Sequence, residues 1–364
     1  MKYFSRRQFQ RIYGVWISLI LLFAAVAKAD QSGYFYYVPA GSSAVITNYS
    51  GPGGDVAIPS TLNNLPVSGI GADAFFACNT VTNIIIPPTV TSIGDYAFYD
   101  CTGLRSMIIP TNVMSLGSWV FAYCSKLASV SIGPGTTNVG DYDFQYCTSL
   151  TNLSLGAGLI TIGANAFDSC TSLTTVSIPN SVTNLEGSAF ADCVALTRIT
   201  IPDGISSIAS STFYGCSNLA TVIVGKNVTS VGADAFSGCS SLASIFFTGN
   251  APASFPASAI SGSSPAIYYL SGASNWNRTL GGQPTILWNP TLQAGAAGFR
   301  LPPNTFSVAI TGTTNIPIVL EACTNLSPSI WVPVLNCTLT NGSLVFTDPN
   351  SANYSARYYR ICLP

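Results

Sequence analysis

The chain has 364 residues, 48% apolar and only 7% charged, with a formal net charge of −1 and no histidine. That length suits two ordinary domains, and so little net charge gives a nucleic acid nothing to grip. Without histidine there is no ordinary catalytic triad, no imidazole acid or base and no histidine metal site.

The first element reads as a signal peptide, residues 1–29. Lys2, Arg6, Arg7 and Arg11 form a basic head, residues 15–26 an apolar core, and Ala27-Lys28-Ala29 places the cut after Ala29. A lone membrane anchor is the rival reading, which the short apolar run disfavours. Ser5-Arg6-Arg7-Gln8-Phe9-Gln10 is similar to the twin-arginine export motif, although the greasy core suits the unfolded route. Either route exports the protein, to the envelope or the medium. After a lead-in over residues 30–54, a repeat begins.

Cysteines stand at Cys78, Cys101, Cys124, Cys147, Cys170, Cys193, Cys216 and Cys239, each 23 residues after the last. Three residues before each lies Phe75, Phe98, Phe121, Phe144, Phe167, Phe190, Phe213 or Phe236, and three after each comes Val81 or a leucine. Eight copies without an insertion mean a solenoid, because one such unit cannot bury its own apolar face. In the Cys170 copy, Val176 and Ile178 alternate inward with Thr175 and Ser177 outward, predicting a strand closed by Pro179. A short extended segment around Leu185 and a turn of helix carrying Ala189-Phe190 complete the unit.

These residues resemble the BspA-type leucine-rich repeats of bacterial surface proteins, whose signature is A-F-x-x-C-x-x-L-x-x-I-x-I-P. The resemblance covers residues 55–248, including an opening coil in which Ile58 and Ile86 are 28 apart. It implies a leucine-rich-repeat solenoid, horseshoe-shaped or gently curved and mainly β, used for adhesion and ligand binding, with no catalytic residues attached.

Equivalent cysteines in stacked coils would point the same way about 4.8 Å apart, wide for a disulfide, so buried reduced thiols are expected. No C-x-x-C pair occurs, and neither metal nor cofactor is expected. The outward strand positions, Asn83 and Ile85 through Ser244 and Phe246, read as a mild, solvated β-face.

Specificity is sought where the copies differ. The position two before each phenylalanine is aromatic only in Tyr96, Trp119 and Tyr142, and nearby columns add Phe76, Tyr99, Tyr123, Tyr146 and, further on, Tyr214. Stacked coils would align these into an aromatic ribbon along the first half of the rod, a surface for a protein or carbohydrate partner. The competing reading is that they cover a loop or cap the turn edge.

Past Phe247 the period stops. Residues 249–288, with Ile267, Tyr268, Trp276 and Trp288, read as the cap that a last coil requires, and 289–303 as a linker. Residues 304–364 alternate in short runs that predict a small β-sandwich. The stretch from Val319-Leu320-Glu321 to Arg357-Tyr358-Tyr359-Arg360 is similar to a carboxy-terminal module of exported repeat proteins, one without assigned chemistry. In an oxidising compartment one disulfide is expected among Cys323, Cys337 and Cys362.

The reading is therefore a non-enzymatic, exported scaffold that binds a protein or glycan at a cell surface. A structural spacer or envelope assembly protein is the alternative. A remoter one is a glycan hydrolase built on Asp141 with Asp143 or Asp192 with Asp203.

Overall fold

The computed structural model describes residues 29–294 and 306–364; all of the expected signal peptide but Ala29, and the latter part of the expected linker, lie outside the described residues. Most coils supply a strand of three to five residues and a second of two, because their apolar alternation is short and is broken by Pro or Gly. The longer strands Val81–Ile85, Ser106–Ile109, Ser129–Ile132 and Asn152–Ser154 stack in parallel on Gly54–Ala57. Partners lie 23 residues apart, as in Ser106 with Ser129. The opening coil keeps this pairing with a 28-residue offset, Val56 against Ile84. A tight hairpin absorbs the surplus: Thr61–Leu62 folds back on Leu65–Ile70 through Asn63 and Asn64, both at positive φ.

The core is a set of columns running along the rod. All eight ladder phenylalanines are fully buried, and neighbouring rings from Phe75 to Phe190 lie 5.0–5.2 Å apart. Burying each ring contributes about 2 kcal/mol, and stacking about 1 kcal/mol more. From Cys101 to Cys239 every ladder thiol donates to the carbonyl of the phenylalanine one coil back, as Cys147 Sγ does to Phe121 at 3.3 Å. These cysteines are all free, and burial pushes the Cys147, Cys170 and Cys193 thiols up from their usual range.

Two features of the repeat differ from the sequence expectation. Residues 174–178, the segment with the cleanest alternation, form no strand, and the strand row divides there. The second part runs from Arg198–Ile201 through Thr221–Val224 and Ser244–Phe247. Nor does a turn of helix carry Ala189-Phe190. The chain turns instead at two left-handed residues per coil, such as Ser188 and Asp192. Tight reversal of a 23-residue coil leaves no length for a helical turn.

The row of two-residue strands is also interrupted, between Asn184–Leu185 and Ser207–Ile208. Beside this row most coils carry glycine, since a Cβ at Gly94 would lie 2.8 Å from the backbone nitrogen of Ala72 one coil back. The two coils at the interruption carry Glu186 and Ala209 instead. There the ring spacing widens to 5.7 Å, between Phe190 and Phe213.

Both ends are closed. In the lead-in, Phe35–Ala40 and Ser43–Tyr49 form a hairpin that joins Leu65–Ile70, burying Tyr37 and Ile46 and laying Tyr49 on Phe75. At the other end Ala266–Leu270 and Gln283–Trp288 continue the strand row, and Trp276 stacks on Tyr269 and donates to the Gly249 carbonyl.

The carboxy-terminal module has two three-stranded sheets: Thr291–Ala294, Phe306–Thr311 and Ser343–Asp348 in one, Val332–Leu339, Ile316–Cys323 and Tyr358–Cys362 in the other. Its first strand lies inside the stretch expected to be linker. The module does not hang free. Val308, Ile310, Ile316, Ile318 and Leu320 share one apolar core with Ile223, Phe246 and Tyr268 of the solenoid, and Trp288 donates to the Pro317 carbonyl at 2.8 Å. The outward β-face expected to be solvated is therefore covered at its carboxy-terminal end, with Phe246 only 1% exposed.

The expected disulfide does not fit this register. Cys337 pairs with Ile318 and Cys362 with Val319, successive residues of the central strand that point to opposite faces. Cys323 lies four residues from Val319, roughly 13 Å along the strand, beyond disulfide reach of Cys362. All three thiols are free.

Candidate functional site

The seven sequence-predicted aromatics form one contiguous surface on the turn edge of the first coils. Trp119 stacks on Tyr142 at 4.1 Å with planes 8° apart, and Tyr96 on Trp119 at 6.1 Å and 12°. Alongside, Phe76 stacks on Tyr99 at 5.1 Å and Tyr123 on Tyr146 at 4.9 Å. Tyr99 joins the columns by touching Tyr96, Trp119 and Tyr123. Tyr146 is exposed and the other six are half-buried, largely by one another. Tyr214 stands apart and exposed.

The backbone beneath them is unusual. Tyr96, Trp119 and Tyr142 have φ of 55°, 62° and 60°, and Tyr123 and Tyr146 of 64° and 58°. A side chain bulkier than Asn or Asp costs about 1 kcal/mol in this left-handed region. Coils further along fill the same two columns with Asn165, Ser188 and Asp234, and with Asp192 and Gly215, residues that the turn itself favours. The amino-terminal coils place rings where the fold prefers small polar residues.

The electrostatics are one-sided. The seven residues that end at each ladder cysteine include Asp73, Asp95, Asp100, Asp141, Asp143, Asp168, Asp192 and Asp234, and no Lys or Arg. Asp95 and Asp141 hold the next coil by accepting the Ser118 and Ala164 N–H groups. Asp168 accepts from Gln145 Nε2 at 2.7 Å and from Ser169 Oγ at 2.9 Å. Burial, with smaller pushes from neighbouring Tyr123, Asp100 and Tyr96, raises the Tyr99 hydroxyl to about 12.

Asp143 differs from its neighbours. It occupies the small-residue position before Phe144, fully buried, and accepts from Val120 N at 3.1 Å and Gly140 N at 2.6 Å. Burial pushes its carboxyl up to about 8, the two backbone bonds pull it down, and Asp141 and Asp95 add a smaller upward push. Asp143 cannot share a solvent-filled catalytic site with exposed Asp141. Asp192 and Asp203 lie at different corners of their coil, and Asp203 pairs with Lys226 at 3.4 Å.

One depression was not legible in the sequence. Where the strand row divides, Ser129, Ser131, Asn152, Ser154, Thr175 and Ser177 line a shallow hollow of about 450 Å³, uncharged and rich in hydroxyls.

A family model for the BspA type leucine rich repeat region matches residues 56–148 and 137–264, with six copies. The chain belongs to that family. This BspA-type solenoid is similar in structure to a Treponema pallidum leucine rich repeat protein, at 29% identity over 59% of this chain and 91% of that one, TM-score 0.43. It is also similar to a leucine rich cell surface protein of Faecalibacterium prausnitzii A2-165, at 25% identity over 75% of this chain and 95% of that one, TM-score 0.40. No curated protein matches it significantly. BspA-type repeats are a scaffold found on bacterial surfaces. Among the described residues no helix is long and apolar enough to cross a membrane, and no three Cys, Asp or Glu side chains converge as a metal set.

Proposed function

We propose that this BspA-type protein is an exported, non-catalytic adhesion or ligand-binding scaffold whose contact surface is the aromatic ribbon. The observation that carries the reading is the placement of Tyr96, Trp119, Tyr142, Tyr123 and Tyr146 at left-handed positions. Fold stability alone selects Asn, Ser or Gly there, as the later coils do, so retained rings serve something besides folding. Export rests on the amino-terminal basic head and apolar core, together with the family's surface setting.

The test replaces Tyr96, Trp119 and Tyr142 by Asn, the residue that coil five uses at Asn165. Capture of surface proteins or glycans on an array is expected to be lost while thermal unfolding moves little. Undiminished capture by the folded variant removes the ribbon from consideration. A second reading, a spacer without a ligand, draws on the mutual stacking of the rings; it predicts no capture by either protein.

A further inference from the structure

A sugar ring binds an aromatic side chain by lying on its exposed face. In the ribbon the faces are already used, because Trp119 and Tyr142 cover each other at 4.1 Å and Phe76 and Tyr99 at 5.1 Å. Solvent therefore meets mainly ring edges and hydroxyls. The stack ends at coil five, where Asn165 and Ser169 follow Tyr142 and Tyr146 and leave a step beside Asp168.

Charge then selects among partners. The turn edge carries eight of the chain's 14 acidic residues and none of its 13 basic ones. One of the eight, Asp143, is sealed inside, and Asp192 and Asp234 belong to the sixth and eighth coils, which leaves Asp73, Asp95, Asp100, Asp141 and Asp168 around the ribbon. The nearest basic residues in sequence, Arg105 and Lys126, follow the cysteine and belong to the run into the next strand. A neutral glycan draws nothing from this asymmetry, whereas a cationic chain does.

We infer that the ribbon docks a basic protein segment rich in arginine or lysine, a reading that rests on the ribbon being the contact surface. The aliphatic stems of such side chains cover ring edges while their charged heads reach carboxylates and tyrosine hydroxyls. At the step, a guanidinium can continue the stack on Tyr142 or Tyr146 and meet Asp168. Partly exposed charges make this binding salt-dependent, since screening shortens to below 10 Å at physiological ionic strength.

The test titrates the full chain with a nine-residue arginine peptide and, separately, with a neutral six-unit glucan. The edge variant D95N/D141N/D168N keeps a carbonyl oxygen to accept the Ser118, Ala164 and Gln145 hydrogen bonds, so it is expected to fold normally. D30N/D55N/D203N removes as many charges elsewhere. Peptide affinity is expected to fall about 10-fold in the edge variant and about 10-fold again between 50 and 300 mM salt, and to hold in the off-edge variant. Equal losses in both charge variants, or no loss in the edge variant, overturn the proposal. Glucan binding that survives in the edge variant and disappears in Y96N/W119N/Y142N overturns the basic partner while leaving the ribbon standing. Peptide binding that survives in Y96N/W119N/Y142N removes the ribbon itself.

Discussion

The coils on either side of residues 174–178 share one frame and present different surfaces. In the amino-terminal half the outward strand column reads Ile85 and Ile108, 60% and 69% exposed, and the turn edge carries rings. In the other half the same column reads Ile223, Phe246 and Tyr268, buried under the module, and the turn edge, Tyr214 apart, is small and polar. The carboxy-terminal half gives up its strand face to the module, whereas the amino-terminal half keeps that face open. A repeat therefore fixes where a side chain points without fixing what meets it.

The largest expected effect breaks this contrast at one column. Phe246→Ala should cost about 3 kcal/mol and loosen the module, because a fully buried ring leaves a cavity between two sheets. Ile108→Ala, at the equivalent place in the open half, should stay within about 0.5 kcal/mol. Urea unfolding reads both. Equal costs would mean that the module does not stay on the strand face in solution.

A change of opposite sign is expected at Asp143. Its folded pKa, about 8, lies above the 3.8 of a free aspartate, so the fold favours the protonated acid. The stability it contributes is complete below about pH 4 and is lost as pH rises through about 8. Asp143→Ala restores the residue found at Ala97 and Ala166 and frees the Val120 N–H for the local turn bond made in those coils. It should flatten that slope and stabilise the protein by on the order of 1–3 kcal/mol at pH 8. Melting temperatures from pH 4 to 8 check it, and a wild-type slope that survives in the variant would sink the assignment.

The smallest expected effect tests what the halves share. Cys124→Ala and Cys216→Ala each remove a buried thiol donating at 3.2 Å, and each should cost about 1 kcal/mol. Similar unfolding midpoints would show that the frame is indifferent to the surface it carries. Denaturing, non-reducing titration should also find all eight ladder thiols reactive; a clear deficit would mean that some are bridged.

Much of this was legible because it is written eight times over, every 23 residues, in register. Phe, Cys and Leu recur at fixed spacing, and stacking turns each recurrence into a column, so both the core and the alignment of Tyr96, Trp119 and Tyr142 follow from the chain. Short-range signals were less dependable. Thr174–Ile178 has the alternation of a strand, but a strand exists only where neighbours pair with it, and that is a property of the coils above and below. The left-handed backbone under the rings was hidden too, since no spacing rule reports φ.

What lay beyond the sequence were contacts between segments without a common period. The module and the solenoid meet because Ile223, Phe246 and Tyr268 present an apolar strip that matches Val308, Ile310 and Ile318. The strip alternates like any outward column, so nothing local marks it as buried. The same holds for Cys323, Cys337 and Cys362, whose separation is decided by sheet register. The sequence by itself determined the repeat, its buried columns and the candidate ribbon, because a stacked solenoid converts periodicity directly into position. Only the tertiary structure decided which faces stay open, because covering a face takes a partner surface from elsewhere in the chain.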